Sequence, residues 1–152
     1  MSQQVNDVVI RKSVTVSAPV ERAFQVFTEE IGAWWPLRTH AVDTKDAVTV
    51  VLESRPGGRL FERTSSGEEH IWGKIEAWEP PTRLVYTWHP GRGDETAQEV
   101  EVTFSPDGDG TRVDLAHSGW EKLGEHLDDT LASYHEGWDK VMGLYVEAVE
   151  GS

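Results

Sequence analysis

The chain has 152 residues, and its 14 Lys and Arg face 27 Asp and Glu, for a formal net charge of −13. Such a charge repels nucleic acid phosphates and anionic membrane surfaces, so neither is an expected partner. Cysteine is absent, which excludes disulfide bonds, thiol nucleophiles and thiolate metal ligands.

The first third of the chain predicts one strand and two helical segments. Residues 8–17 alternate apolar and polar positions and are rich in Val, Ile and Thr, which is typical of a half-buried strand. A helix follows from Pro19, with one apolar face, and Gly32 is expected to end or bend it. Residues 33–36 read as a short helical turn stopped by proline, and residues 38–46 read as a loop.

The middle of the chain predicts an antiparallel meander of six strands. The strands are expected at 47–54, 59–64, 70–79, 83–89, 97–105 and 111–118, and Gly, Pro and Asp cluster in the turns between them. Alternate residues share a sheet face, and the apolar sets predict which side chains point inward. These are Val48, Val50, Leu52, Val100, Val102, Phe104, Val113, Leu115 and His117.

The C-terminal segment, residues 128–150, returns to helical spacing and carries an apolar stripe. Gly137 and Gly143 lie inside this helix, and an interior Gly costs roughly 1 kcal/mol relative to Ala. A close approach of sheet and helix at both glycines is the expected compensation. The predicted class is α+β in the order β-α-α-β6-α, with a curved antiparallel sheet wrapped around the long C-terminal helix and an internal cavity.

Composition and segment pattern also predict the domain organisation and compartment. Because composition does not shift along the chain, we expect a single domain over residues 1–152, with its core at about 8–149. The polar first residues lack the apolar stretch of a signal peptide, and no run of about 18 apolar residues occurs. The expected compartment is the cytoplasm.

Several short motifs resemble a known family. They are Gly57-Gly58, Gly73-Lys74-Ile75, Pro81-Thr82-Arg83-Leu84 and, in the last helix, Gly137-Trp138. With the order of elements, they resemble the SRPBCC (START/Bet v-like) superfamily, and within it the homologues of the activator of the heat-shock protein ninety ATPase. The resemblance covers residues 8–149. It implies the helix-grip fold, in which the sheet holds the last helix and a cavity lies between them.

The resemblance implies a range of functions rather than one. Members of the superfamily are similar to lipid and sterol carriers, hormone receptors, polyketide cyclases, ring-dioxygenase subunits and co-chaperones, because a shared fold does not fix chemistry. We therefore predict a binding domain for a small apolar, aromatic or lipid-like ligand. The alternatives are a cyclase or hydrolase acting in the same cavity and a co-chaperone-like module that binds a protein partner. Whether the chain is an enzyme stays open.

Two ionisable residues are candidates for catalysis. His117 shares a strand face with Val113 and Leu115, so its imidazole is expected at the cavity wall, where it could exchange protons near neutral pH. Glu62 alternates with Leu60 and could form an acid and base pair with His117. The alternatives are a hydrogen-bonded core histidine and a Glu62 that faces solvent or pairs with an arginine.

Aromatic residues dominate the predicted ligand site. Tyr134 and Trp138 point from the last helix to the sheet, and Trp34, Trp35 and His40 precede the second strand, near the cavity mouth of helix-grip proteins. One of the two adjacent tryptophans could instead plug the end of the barrel. Trp72, Trp78 and Trp88 could line the cavity or pair on the outer face. The predicted ligand contacts are Trp34, Trp35, Trp88, Val102, Phe104, Leu115, His117, Tyr134 and Trp138.

The remaining predictions concern metals, cofactors and assembly. The six histidines are scattered without the spacing of a metal site, and the chain has no glycine-rich phosphate loop. No metal site and no cofactor are expected. The expected partner is a small apolar or aromatic ligand, with a protein partner as the alternative, and the expected state is a monomer or weak dimer.

Overall fold

The computed structural model describes residues 9–89, 97–120 and 127–151, with side-chain detail in the last segment from residue 130. The strands are β1 (Ile10–Val16), β2 (Ala47–Leu52), β3 (Arg59–Thr64), β4 (Glu69–Glu79), β5 (Arg83–Trp88), β6 (Gln98–Asp107) and β7 (Gly110–Ser118). The helices are α1 (Val20–Thr28), α2 (Ile31–Trp34) and α3 (Leu127–Glu150). The predicted element order is confirmed. The predicted turn around Pro90 and Gly91 lies outside the described residues.

The strands described here form one antiparallel sheet in the order β1-β7-β6-β5-β4-β3-β2. The long connection through α1 and α2 separates β1 from β2, which therefore lie at opposite edges. The sheet curves into a half-barrel around α3, which is the helix-grip fold. Within the described residues, no helix is both long and apolar enough to cross a membrane.

The C-terminal half of α3 packs against α1 and closes one end of the half-barrel. The Tyr145 hydroxyl donates a hydrogen bond to the Ala23 carbonyl over 2.7 Å, and its ring lies 5.3 Å from that of Phe27. Phe24 and Phe27 meet Phe104 of β6 edge to face, with centroids 5.1 and 5.9 Å apart. Because aromatic side chains fill this end, only the other half of α3 can border an open cavity.

Sheet irregularities correct part of the predicted pattern of inward residues. The register between β2 and β3 shifts between Ala47 and Thr49, so Val48 turns outward and is 56% exposed. Its predicted inward position is wrong because a bulge resets the two-residue alternation. The other predicted inward residues are buried: Val50, Leu52, Val100, Val102, Phe104, Val113, Leu115 and His117.

Bulges also explain why β4 buries residues that alternation places on opposite faces. Leu60 pairs with Gly73 but Phe61 pairs with Ile71, which leaves Trp72 as an extra residue in β4. A second shift lies between Ile75 and Ala77. Trp72 and Ile75 consequently both enter the core.

Candidate functional site

A cavity of about 470 Å³ lies between the N-terminal half of α3, the loop after α2 and strands β4 and β5. This volume is within the usual range for a small-molecule site. The lining residues are Trp35, Thr39, His40, Ala41, Val42, Trp72, Trp88, Ser133, Tyr134, Gly137, Trp138 and Val141. The sheet, the loop and the helix thus each contribute one side of the site.

Four indole rings form the body of the cavity wall. Trp35 comes from the end of α2, Trp72 from β4, Trp88 from β5 and Trp138 from α3. Trp35 lies 5.0 Å from Trp72, 5.9 Å from Trp88 and 6.3 Å from Trp138 between ring centroids. Trp88 lies 5.5 Å from Trp72 and 5.7 Å from Trp138. All these pairs are tilted or edge to face, the arrangements that aromatic quadrupoles favour.

Every indole N–H of these four rings donates to a protein acceptor. Trp35 donates to the His40 carbonyl over 2.6 Å, and Trp72 donates to Glu62 Oε1 over 2.6 Å. The Trp88 indole donates to the Tyr134 hydroxyl, and that of Trp138 to His117 Nδ1, both over 3.0 Å. Since their polar groups are satisfied internally, the four rings present carbon surface to a ligand.

Glu62 is a buried anchor beneath the loop that forms one cavity wall. Its side chain is fully buried. Oε1 accepts hydrogen bonds from the Val42 amide and the Trp72 indole, both over 2.6 Å, and Oε2 accepts one from the Asp43 amide over 2.8 Å. The carboxylate thereby ties the loop to β3 and β4, because hydrogen bonds to an ionised acceptor are among the stronger ones.

His117 is enclosed by aromatic rings. Its ring centroid lies 4.1 Å from that of Trp120 and 5.1 Å from that of Tyr134. Because the Trp138 indole can only donate, Nδ1 of His117 must accept, and Nε2–H therefore donates to Gln98 Oε1 over 3.2 Å. Burial lowers the pKa of His117 to about 3, so the imidazole is neutral at pH 7.

The two catalytic candidates have their polar atoms committed to other groups. Glu62 holds three N–H donors and His117 two partners, and none of these hydrogen bonds joins Glu62 to His117. Neither residue lines the cavity. In this arrangement Glu62 and His117 each accept a hydrogen bond from an indole ring of the wall.

The structure brings together four of the predicted ligand contacts, Trp35, Trp88, Tyr134 and Trp138. The other five are not among the lining residues: Trp34, Val102, Phe104, Leu115 and His117. Trp34 packs between Phe27 and Tyr145 and donates its indole N–H to the Val26 carbonyl over 2.8 Å. It fills the closed end of the half-barrel, whereas its neighbour Trp35 faces the cavity.

Sequence reasoning missed several lining residues, including Ala41, Val42 and Ser133, because loop residues and the helix edge have no periodic pattern to mark them. Gly137 was marked in the sequence, because an interior helical glycine predicts a close neighbour. A Cβ there would lie 3.4 Å from His40 Nε2, so the close neighbour is the loop rather than the sheet. At Gly143 a Cβ would meet nothing within 4 Å, so the predicted close approach there is wrong.

One further group of side chains has the chemistry of metal ligands. Among the described residues, Asp43, Glu68 and His70 place potential ligand atoms within 4.8 Å of one another. His70 Nε2 lies 3.0 Å from Glu68 Oε1. No spacing along the chain indicates such a group, because Asp43 comes from the loop after α2 and the other two residues come from the β3–β4 hairpin.

Comparison with known proteins places this geometry in a family. A family model described as Activator of Hsp90 ATPase homolog 1-like protein matches residues 17–149. No curated protein sequence matches the chain.

Solved structures with the same fold include three informative ones. A self-sacrificing resistance protein, CalC from Micromonospora echinospora, is 31% identical with a TM-score of 0.73, over 96% of each chain. An anthrahydroquino-γ-pyrone synthase, Txn09, solved in complex with a ligand, is 32% identical with a TM-score of 0.62, over 91% of this chain and 95% of the other. The Aha1 dimer from Colwellia psychrerythraea shares the fold at 18% identity, with a TM-score of 0.69 over 94% and 96% of the two chains.

The family match spans the first helix, the meander and the final helix, and so includes every element that borders the cavity. The chain therefore belongs to the Activator of Hsp90 ATPase homolog 1-like protein family.

Proposed function

We propose that this protein binds a planar aromatic small molecule in the cavity between α3 and the sheet. The observation that carries the proposal is the wall of four indoles whose N–H groups are all engaged inside the protein. Such a wall offers a ligand stacking and edge contacts at almost no desolvation cost, since no unpaired polar group of the rings has to be buried.

The relatives support a small-molecule role. Txn09 is named as a synthase of an anthrahydroquino-γ-pyrone, and that kind of product is a fused aromatic system. CalC is named as a resistance protein. Both are more than 30% identical to this chain over nearly its whole length, so similar use of the cavity is a reasonable starting point for experiment.

Fluorene, a planar tricyclic hydrocarbon, is the first probe. We expect it to cause saturable shifts in the indole N–H signals of Trp35, Trp72, Trp88 and Trp138 in two-dimensional ¹H–¹⁵N NMR spectra. Trp78 packs on Phe24 at a centroid distance of 5.1 Å and does not line the cavity, so its signal serves as the internal reference. Absence of shifts, or equal shifts at Trp78, would contradict the proposal.

A matched pair of variants locates the binding. Ser133 lines the cavity, whereas Ala132, one residue earlier in α3, is exposed outside it. Ser133→Trp is expected to fill the entrance and abolish the fluorene shifts, while Ala132→Trp adds the same bulk and leaves them intact. Palmitate is the comparison ligand, and stronger shifts with palmitate than with fluorene would favour a lipid carrier instead.

The second candidate function is an enzyme, and the observation in its favour is the 32% identity to Txn09. Incubation with an anthrahydroquinone precursor, followed by mass spectrometry, separates the two functions. A product of new mass whose amount increases with time supports an enzyme, whereas a stoichiometric complex with unchanged ligand supports a binding protein.

A further inference from the structure

His40 is the imidazole among the residues that line the cavity, and its hydrogen-bond partners define which of its nitrogens carries the proton. Its Nδ1 lies 2.7 Å from Thr39 Oγ1. Lys140 of α3 donates from Nζ to the same Thr39 oxygen over 3.2 Å. An ammonium group can only donate, so the Thr39 oxygen accepts the hydrogen bond from Lys140. The Thr39 hydroxyl hydrogen is then available to donate a second hydrogen bond.

The Thr39 hydroxyl hydrogen has two possible acceptors, and the distances decide between them. His40 Nδ1 is at 2.7 Å, a full hydrogen bond, whereas the Pro36 carbonyl is at 3.4 Å, where a hydroxyl hydrogen bond is weak. The hydroxyl therefore donates to Nδ1, and the neutral ring carries its hydrogen on Nε2. Burial and, second, the Lys140 charge lower the pKa of His40, which keeps the ring neutral at pH 7.

The Nε2 side of the ring lies beside α3 at a residue without a side chain. An ideal Cβ on Gly137 would stand 3.4 Å from His40 Nε2 and 3.6 Å from Cδ2, and both residues line the cavity. Any larger residue at position 137 would cover the nitrogen. Gly137 thus places no side chain over this N–H donor, in a cavity whose four indole donors are all engaged elsewhere.

We propose that the Lys140–Thr39–His40 chain presents His40 Nε2–H as a polar contact of the cavity, and that the ligand is a planar aromatic ketone, quinone or phenol whose oxygen accepts this hydrogen bond. This inference rests on the proposed function and adds a basis for selecting among aromatic ligands. The indoles hold the flat carbon skeleton, and His40 selects skeletons that place an oxygen at the Gly137 end of the cavity.

The test uses 9-fluorenone and fluorene, which share their flat carbon framework and differ in one carbonyl group. Binding is measured by the indole NMR shifts of the full chain. A neutral hydrogen bond contributes about 0.5–1.5 kcal/mol, so we expect fluorenone to bind about 2–10-fold more tightly than fluorene. In His40→Phe, which keeps an aromatic ring, this preference for fluorenone over fluorene is expected to disappear.

Two further variants separate a polar contact from a structural role of His40. His40→Gln, whose amide can donate a hydrogen bond, is expected to restore part of the preference for fluorenone. Gly137→Ala covers Nε2 and is expected to remove the preference, whereas Gly143→Ala, where a Cβ meets nothing within 4 Å, keeps it. Lys140→Met and Thr39→Val each remove a contact that fixes the hydrogen on His40 Nε2, so both are expected to weaken the preference for fluorenone. Lys45→Met removes the same charge in the loop and is expected to leave the preference unchanged.

The imidazole ¹⁵N shifts of His40 report the tautomer directly and are expected to show hydrogen on Nε2. Hydrogen on Nδ1, or equal losses of fluorene and fluorenone binding in His40→Phe, would overturn this inference and leave the aromatic cavity standing. If neither probe binds the wild-type chain, the proposed function and this inference both fail.

Discussion

Glu62 supports the cavity through a single carboxylate that accepts three N–H groups. In Glu62→Gln the amide NH2 faces donors, so at least one buried N–H loses its acceptor. An unsatisfied buried group costs about 1–3 kcal/mol, and we expect the free energy of unfolding in urea to fall by about 2 kcal/mol. Glu76→Gln, an exposed change on β4, is the control, and an equal loss there would contradict the anchoring role.

His117 makes the stability of the fold depend on pH. Its pKa is about 3 in the folded protein and about 6.5 in an unfolded chain, so between these values only the unfolded chain binds the proton. The free energy of unfolding therefore falls as the pH drops below 6.5, by on the order of 1 kcal/mol for each pH unit from this residue. Urea unfolding between pH 7 and pH 5 measures the slope.

The variant His117→Gln isolates this contribution. It is expected to be less stable at pH 7 because its contacts with Trp138 and Trp120 change, but its slope with pH is expected to be shallower than that of the wild type. NMR adds a second measurement, since the His117 ring signals should not titrate between pH 7 and pH 5. Identical slopes in the two proteins would contradict the assignment.

At the residue scale, the sequence predicted most of the buried side chains correctly, but it did not predict which of them line the cavity. Alternation along β7 correctly placed His117 in the interior, but whether it contacts a ligand depends on how Trp120 and Trp138 pack against the imidazole. Trp34 and Trp35 are adjacent, and only the three-dimensional position of α2 decides that one fills the core and the other faces the cavity. Local patterns carry no information about such choices.

At the scale of elements, the interior glycines of β4 and α3 have opposite roles. A Cβ at Gly73 would stand 1.7 Å from the Thr87 carbonyl oxygen of β5, which is backbone and cannot move aside. Gly73→Ala is therefore expected to disrupt the β4–β5 pairing and to give little folded protein. Gly143→Ala in α3 meets open space and is expected to stabilise the protein by about 1 kcal/mol, the helix propensity difference.

Circular dichroism during thermal unfolding checks both substitutions. A folded Gly73→Ala with wild-type stability would contradict the close backbone approach, and a destabilised Gly143→Ala would show that α3 has a neighbour there. The order of elements followed from turn residues and hydrophobic period, whereas the bulges in β2 and β4 could not be predicted. They depend on pairing between strands, which a single strand's pattern does not encode.

At the scale of the whole molecule, ligand binding should be visible as added stability. A ligand that binds only the folded state contributes RT ln(1 + [L]/Kd), or about 2.7 kcal/mol at a hundred times Kd. For a chain of this size we expect the melting temperature in the presence of fluorenone to rise by roughly 5–10 °C. The cavity-filling variant Ser133→Trp should lose this rise, and a rise that persists in it would point to binding elsewhere.

The topology of the whole molecule was accessible from sequence because hairpin turns, helix periods and family motifs agreed with one another. The position of the cavity was not, since it depends on which half of α3 the aromatic residues fill. Tyr145 and its neighbours close one end, and the loop held by Glu62 shapes the other.

The spacing of the four indoles gives the protein an optical property of its own. Chromophores with centroids 5.0–6.3 Å apart in fixed tilted orientations exchange excitation energy and couple their electronic transitions. Near-ultraviolet circular dichroism should consequently carry a strong coupled signal from the cavity wall. A bound molecule that alters the tilt of any one ring changes that signal, so the occupancy of the cavity can be followed without a label.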